Sequence, residues 1–326
     1  MDFSIVIPTK NAGPTLKDVL EAIFAQRTTC QYEVICIDSG STDGTVELIA
    51  KYPVKYFDIP AREFGHGKTR NFGASKGSGK YIVFITQDAL PATENWLQGF
   101  YDVMGRDEKI AGAFGIHYPY PDCNLLDARD ISGLFESFGS EERIYEVEDW
   151  DRFKRDPAYV RDLSFFSDNN ACIRRTDWEL SPYPEVDFGE DQLWMRARIS
   201  EGKKKAYTPF APVYHSHNFS FWNLAGRYYD EYQALYRLFD GFQLADRWKS
   251  VPRVASKAAA EDCRYIDSLD RLSNREKHRW KRYAVVRDYI KLFFGFLGGR
   301  TNRWSEEKRN MVNRLVSQQQ RQRRGA

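Results

Sequence analysis

The chain has 326 residues, 42% hydrophobic and 15% aromatic, enough for one to three packed domains. Lys and Arg total 48 against 46 Asp and Glu, a net charge of +2 that excludes a simple nucleic-acid coat or an acidic disordered protein. Charge is unevenly spread: residues 221–326 carry 23 basic and 12 acidic side chains, and residues 1–220 carry 25 and 34. The five cysteines (30, 36, 123, 172, 263) form no CxxC pair, so neither a disulfide framework nor a zinc knuckle is expected, and a reducing cytoplasm fits best. Asp2 and a strand-like run follow Met1 with no signal-peptide pattern, and no apolar stretch approaches the roughly 20 residues of a spanning helix.

The first 120 residues alternate β-branched runs with helical stretches, the pattern of a parallel sheet with crossover helices. FSIVIP (3–8), YEVICID (32–38), VKYF (54–57) and KYIVFI (80–85) read as strands, and 15–26, 44–51 and 68–76 as helices. Ligands of such sheets bind beyond the carboxyl ends of the strands, which points to residues 8–11, 38–43 and 87–88. Residues 120–165, with PYP and a charged run, read as an irregular insertion. From Leu163 the pattern sharpens through SFFSDNNACIRR, a turn-rich stretch, a helix over 191–200 and a strand ending in VYHSH. Beyond Phe219 the chain is aromatic, basic and helical, and residues 317–326 read as disordered. A catalytic region over 1–220 and a helical region over 221–326 are therefore expected.

Several polar residues fall where chemistry is possible. Asp38 ends an apolar strand above SGSTDGT and either accepts hydrogen bonds from a base or ribose or caps the turn through its amides. Asp43 reads as a cap, and Thr9 and Asn11 follow the first strand in the same way. Asp88 either holds Mg²⁺ or Mn²⁺ against a diphosphate or caps a helix over 93–104. His215 and His217 lie two apart near a strand end, on one face, where an imidazole completes a metal shell or sits without a ligand. REFGHGKTRNFGA brings His66, Lys68 and Arg70 to a helix start, where cations oppose the dipole unless a phosphate compensates them. Glu190 and Asp191 open a helix whose dipole favours ionised carboxylates with depressed pKa, as a general base requires.

Taken in order, VIPTKN, IDSGSTDGT, GKTRNFGA, FITQDA, GEDQLW and VYHSH resemble family 2 glycosyltransferases with the GT-A fold, a Rossmann-like α/β mixed sheet flanked by helices. FGHGKTRNFGASKG and TQDALP are most similar to bacterial rhamnosyltransferases of that family, which use dTDP-L-rhamnose to build surface polysaccharides such as O-antigen. The resemblance implies Pro8, Thr9, Asn11 and Gln87 near the nucleotide, Asp38 on the base, and Lys68 and Arg70 near base, ribose or diphosphate. Asp88 is implied as metal ligand with His215 or His217, Asp191 as general base, and Glu190 in acceptor binding or orientation. The family's Asp-x-Asp is reduced here to one carboxylate, Asp88 between Gln87 and Ala89, which implies modest metal affinity. The implied chemistry is one inverting in-line displacement onto a hydroxyl of a lipid-linked glycan.

The basic C-terminal third then serves in packing, homodimer formation or contact with the inner membrane surface, with residues 283–297 as the membrane candidate. A UDP-sugar donor is the alternative within the family. A sugar nucleotidyltransferase would need a Gly-rich loop where PTKNAGPT stands, and a non-catalytic nucleotide- or glycan-binding subunit would not need Asp191, His215 and His217.

Overall fold

A computed structural model describes residues 1–326 except Asp187, Asp240 and residues 325–326, with the side chains of 322–324 also outside the description. The chain separates into two compact units, Met1–His217 and Asn218–Ala326.

The first unit is built on a nine-stranded mixed sheet: β1 Phe3–Thr9, β2 Tyr32–Asp38, β3 Lys55–Asp58, β4 Tyr81–Ile85, β5 Leu90–Pro91, β6 Ile110–Tyr118, β7 Arg143–Tyr145, β8 Asn170–Arg174 and β9 Lys204–Tyr214. The order is β3-β2-β1-β4-β8-β6-β9-β5, with β7 also paired to β9. Strands β3, β2, β1 and β4 run parallel, so Thr9, Asp38 and the turn after Ile85 share one edge. β8 is antiparallel to both β4 and β6.

Helices cover both faces: α1 Thr15–Phe24, α2 Thr45–Ile49, α3 His66–Ser75, α4 Trp96–Gly105, α5 Leu125–Glu136, α6 Trp150–Arg155, α7 Pro157–Ser164, α8 Arg175–Leu180 and α9 Glu190–Ser200. Phe3, Ile5 and Ile7 pack with Leu16, Leu20 and Phe100 on one face. Val6, Ile35 and Phe84 pack with Trp194 and Met195 on the other. Burial on both faces is why β1 and β4 read as continuous apolar runs and not as alternating ones.

Two expectations are corrected. Residues 120–165 hold three helices and a strand instead of irregular chain, because Asn124, Asp149 and Asp156 each cap a helix start through backbone N–H groups, with Pro157 in the first turn of α7. The tail read as disordered carries a helix over Gln318–Arg324, and residues 325–326 lie outside the described residues.

The second unit comprises α10 Phe221–Leu238, α11 Val251–Asp267, α12 Asn274–Thr301, α13 Glu306–Val316 and α14 Gln318–Arg324. Ser273 and Glu276 form a capping box at the start of α12, which packs against both α10 and α11. A Cβ on Gly298 would lie 2.1 Å from the Tyr229 carbonyl, so a glycine is required for α12 to approach α10 this closely. Among the described residues no helix is long and apolar enough to cross a membrane.

Candidate active site

At the carboxyl edge of the parallel strands, the loops after β1 and β2 are laced together. The Asp38 carboxylate is buried, with Oδ1 accepting from the Gly40 and Ser41 amides, each at 2.8 Å, and Oδ2 from the Thr9 and Ser41 hydroxyls. Asp38 therefore makes the turn-capping bonds that the sequence offered as one of its two roles. Asn11 takes a left-handed φ of 44° and accepts from Thr42 N–H through its side-chain oxygen, and its own N–H donates to Ser41 Oγ. Asp43 accepts from the Thr45 N–H and hydroxyl and from Gly13 N–H. Gln87 clasps the Lys10 backbone, accepting its N–H at 2.8 Å and donating to its carbonyl at 3.2 Å. Pro8 lies in β1 between these loops and the core.

Asp88 follows β4 and does not cap α4, whose N-cap is Asn95. The short strand β5 pairs antiparallel with β9, Leu90 opposite Tyr214, and this register carries Asp88 to the residues just past β9. His215 Nε2 lies 3.6 Å from Asp88 Oδ1, and His217 Nδ1 lies 3.7 Å from Oδ2. One ligand atom from each of the three residues falls within 4.8 Å of the others, so both histidines, and not one of them, converge on Asp88. One carboxylate oxygen and two imidazoles suit a divalent transition ion better than Mg²⁺, which favours an all-oxygen shell. The segment that carries the histidines is held from behind: the His215 backbone N–H donates to the Tyr118 carbonyl, and Ser216 Oγ accepts from Tyr120 N–H.

The start of α3 corrects the charge argument made from the sequence. The cations there are compensated by protein carboxylates: Lys68 pairs with Glu63, and Arg70 turns into the interior. Arg70 Nε lies 2.9 Å from Asp168 Oδ2 and its Nη1 3.0 Å from Glu190 Oε1, with all three side chains buried. Asp191 is half-buried beside them; its Oδ2 accepts from Asp168 N–H at 3.3 Å and its Oδ1 from Gln192 N–H at 2.7 Å.

Two carboxylates thus pair with one guanidinium, and a third lies beside them. Burial, opposed by Arg70 and assisted by mutual repulsion, pushes Asp168, Glu190 and Asp191 each up to about 7. The depression expected from the dipole of α9 is overturned because desolvation and like charge outweigh a helix N-terminus. Asp168 was not singled out from the sequence: SDNN carries no periodicity or spacing that ties it to Arg70, 98 positions earlier.

Residues 4–178 match the family model for glycosyl transferase family 2. The chain belongs to that family. It is a glycosyltransferase with a GT-A-like fold, which sets aside the nucleotidyltransferase and non-catalytic readings. It is similar to the O-antigen chain rhamnosyltransferase WbaN of Salmonella anatum, 29% identical over 309 residues, covering 91% of this chain and 89% of that protein. RfbN of Salmonella typhimurium, also an O-antigen chain rhamnosyltransferase, is 29% identical over 306 residues, covering 92% and 90%. Among solved structures, the fold is similar to Staphylococcus aureus TarS 1–349 (TM-score 0.54, 14% identity, 94% of this chain and 92% of that one). It is also similar to the mannosyltransferase PcManGT from Pyrobaculum calidifontis, solved with GDP-Man and Mn²⁺ (TM-score 0.58, 14% identity, 93% and 87%).

Proposed function

We propose that this glycosyltransferase moves L-rhamnose from dTDP-L-rhamnose to a hydroxyl of a growing, lipid-linked surface polysaccharide, inverting the anomeric configuration. The observation that carries the reading is similarity along nine-tenths of both chains to two O-antigen chain rhamnosyltransferases.

Asp191 is the general base. It takes the proton of the acceptor hydroxyl as that oxygen bonds to the anomeric carbon and the bond from that carbon to the diphosphate oxygen breaks. Glu190 orients the acceptor side of the site. Asp38, Thr9, Asn11 and Pro8 line the nucleotide's end of the strand edge, with Gln87 bracing the first loop; Arg70 anchors Glu190 and Asp168 in the interior, and exposed Lys68 stands at the start of α3 beside Glu63. Asp88, His215 and His217 would hold a divalent ion, most suitably Mn²⁺, which when bound neutralises charge on the departing diphosphate.

The lipid-linked acceptor draws support from the C-terminal unit. On α12, Val285, Val286, Tyr289 and Phe293 are each 40–45% exposed, and the same stripe carries exposed Arg275, Arg279 and Arg282 one to four turns earlier. Trp248, itself exposed, packs its ring 5.6 Å from that of Phe293. Aromatic and aliphatic groups beside arginines suit the surface of an anionic bilayer, as a peripheral contact at the cytoplasmic face.

The test is thermal unfolding with dTDP, UDP or GDP, with and without Mn²⁺, followed by turnover of dTDP-L-rhamnose. A ligand at about 100 times its Kd stabilises the fold by about 2.7 kcal/mol. A Mn²⁺-dependent shift that is largest for dTDP supports the reading; a larger shift with UDP replaces the donor with a UDP-sugar.

A further inference from the structure

Arg70 joins three segments that are remote in sequence. It rises from α3, meets Glu190 at the start of α9, and meets Asp168 in the turn that leads into β8. The turn is tight, with Asn170 N–H donating to the Ser167 carbonyl, and Asn170 is itself fixed by Trp96 Nε1 and the Ala211 carbonyl. The Asp168 amide emerges from this rigid turn and donates to Asp191 Oδ2. Asp168 therefore acts on Asp191 twice, through an amide aimed at one carboxylate oxygen and through a buried negative charge beside it.

We infer that Asp168 is a positioning residue for the general base: anchored on Arg70, it aims the Asp191 carboxylate and, as an unbalanced neighbouring charge, makes it a stronger proton acceptor. The inference rests on Asp191 being the base proposed above. The groups that face Asp191 are Asp168 from the turn before β8, Arg70 from α3, Tyr183 from the segment between α8 and α9, and Glu190 from its own helix. Only Arg70 among them is a cation, so the cluster holds more negative than positive charge. A carboxylate next to an uncompensated anion keeps its proton to higher pH and, once ionised, draws one more strongly.

The excess of acid separates this role from a structural one. Replacing a partner in a balanced buried ion pair strands the other charge and destabilises the fold. Asp168→Asn instead leaves Arg70 paired with Glu190 and relieves repulsion. The experiment compares wild type, Asp168→Asn, Asp168→Glu and Asp191→Asn in thermal melting and in the pH dependence of kcat. Asp168→Asn is expected to melt at or above the wild-type temperature, to lose kcat by roughly ten- to a hundredfold, and to shift the acid limb of the profile down by about one pH unit. Asp168→Glu, which keeps the charge but displaces it, is expected to lose kcat with the limb unmoved. An Asp168→Asn protein whose limb coincides with wild type, or that melts well below it, overturns the inference. Turnover retained by Asp191→Asn removes the proposed base itself, whatever Asp168 does, so the two failures are told apart.

Discussion

His215 faces Asp88 across 3.6 Å although 127 positions separate them, because Leu90 is held opposite Tyr214 in antiparallel register. The pair supplies two of the three residues of the donor set, and its removal has a direct readout. His215→Ala and Asp88→Asn are each expected to weaken Mn²⁺ binding by ten- to a hundredfold or more, the scale seen even for outer partners of metal ligands. Calorimetric titration of Mn²⁺ in the presence of dTDP measures this. Unchanged affinity in both variants would remove the metal from the triad.

Stability and pH are linked through the acids around Arg70. Their folded pKa values, about 7, lie above the ordinary carboxylate range, so the folded chain binds more protons than the unfolded chain between about pH 4 and 7. Stability contributed by these protons is therefore present below pH 4 and lost as pH rises through 7. Urea unfolding at pH 5.5 and pH 8 is expected to show stability falling with rising pH, by about 2 kcal/mol for a single acid so shifted. Glu190→Gln should narrow that gap, and an equal gap in the variant would contradict the assignment.

Glu33 carries the opposite dependence. Burial alone would raise its pKa, but Lys55 at 2.6 Å, the Ser78 amide and the Ser4 hydroxyl outweigh it and hold the carboxyl down at about 2. This contribution is present above the unfolded value near 4.5 and lost as pH falls towards 2. Glu33→Gln is expected to cost about 2 kcal/mol at pH 7 and roughly a quarter of that at pH 2.5, after allowance for Lys55, half of whose side chain is exposed.

Gly67 sets the spacing between α3 and the segment that precedes α9. A Cβ there would lie 2.4 Å from the Pro184 carbonyl oxygen and 3.4 Å from Glu190 Cβ. Gly67→Ala is expected to destabilise by about 1–3 kcal/mol and to lower kcat by displacing the acids. Wild-type stability and turnover in this variant would show that the segment shifts freely.

On α12, Val286→Asp and Phe293→Asp are expected to reduce co-sedimentation with vesicles containing anionic lipid while leaving turnover of a soluble acceptor unchanged. Equal binding by wild type and variants would separate this stripe from the membrane.

The parallel half of the sheet was legible because strands buried on both faces leave long apolar runs that end in polar turns, as at Asp38 and Asp88. The places of Asp191 and the histidines in the fold were legible for a related reason, since each sits at the end of an element. The partners of Arg70 were not, because its charge was assigned to a helix start, and only folding shows that its side chain turns away from that edge. The helices over 125–164 were hidden by dense charge, although Asn124, Asp149 and Asp156 stand where caps belong.

Strand β9 is last in sequence order yet lies inside the sheet, between β6 and β5 and with β7 also paired to it. A chain emerging from the ribosome adds this strand after every partner has already been made, and its long-range pairings close slowly. The two histidines follow it immediately. Under the function proposed above, the metal site they would complete with Asp88 is therefore assembled only when the sheet closes.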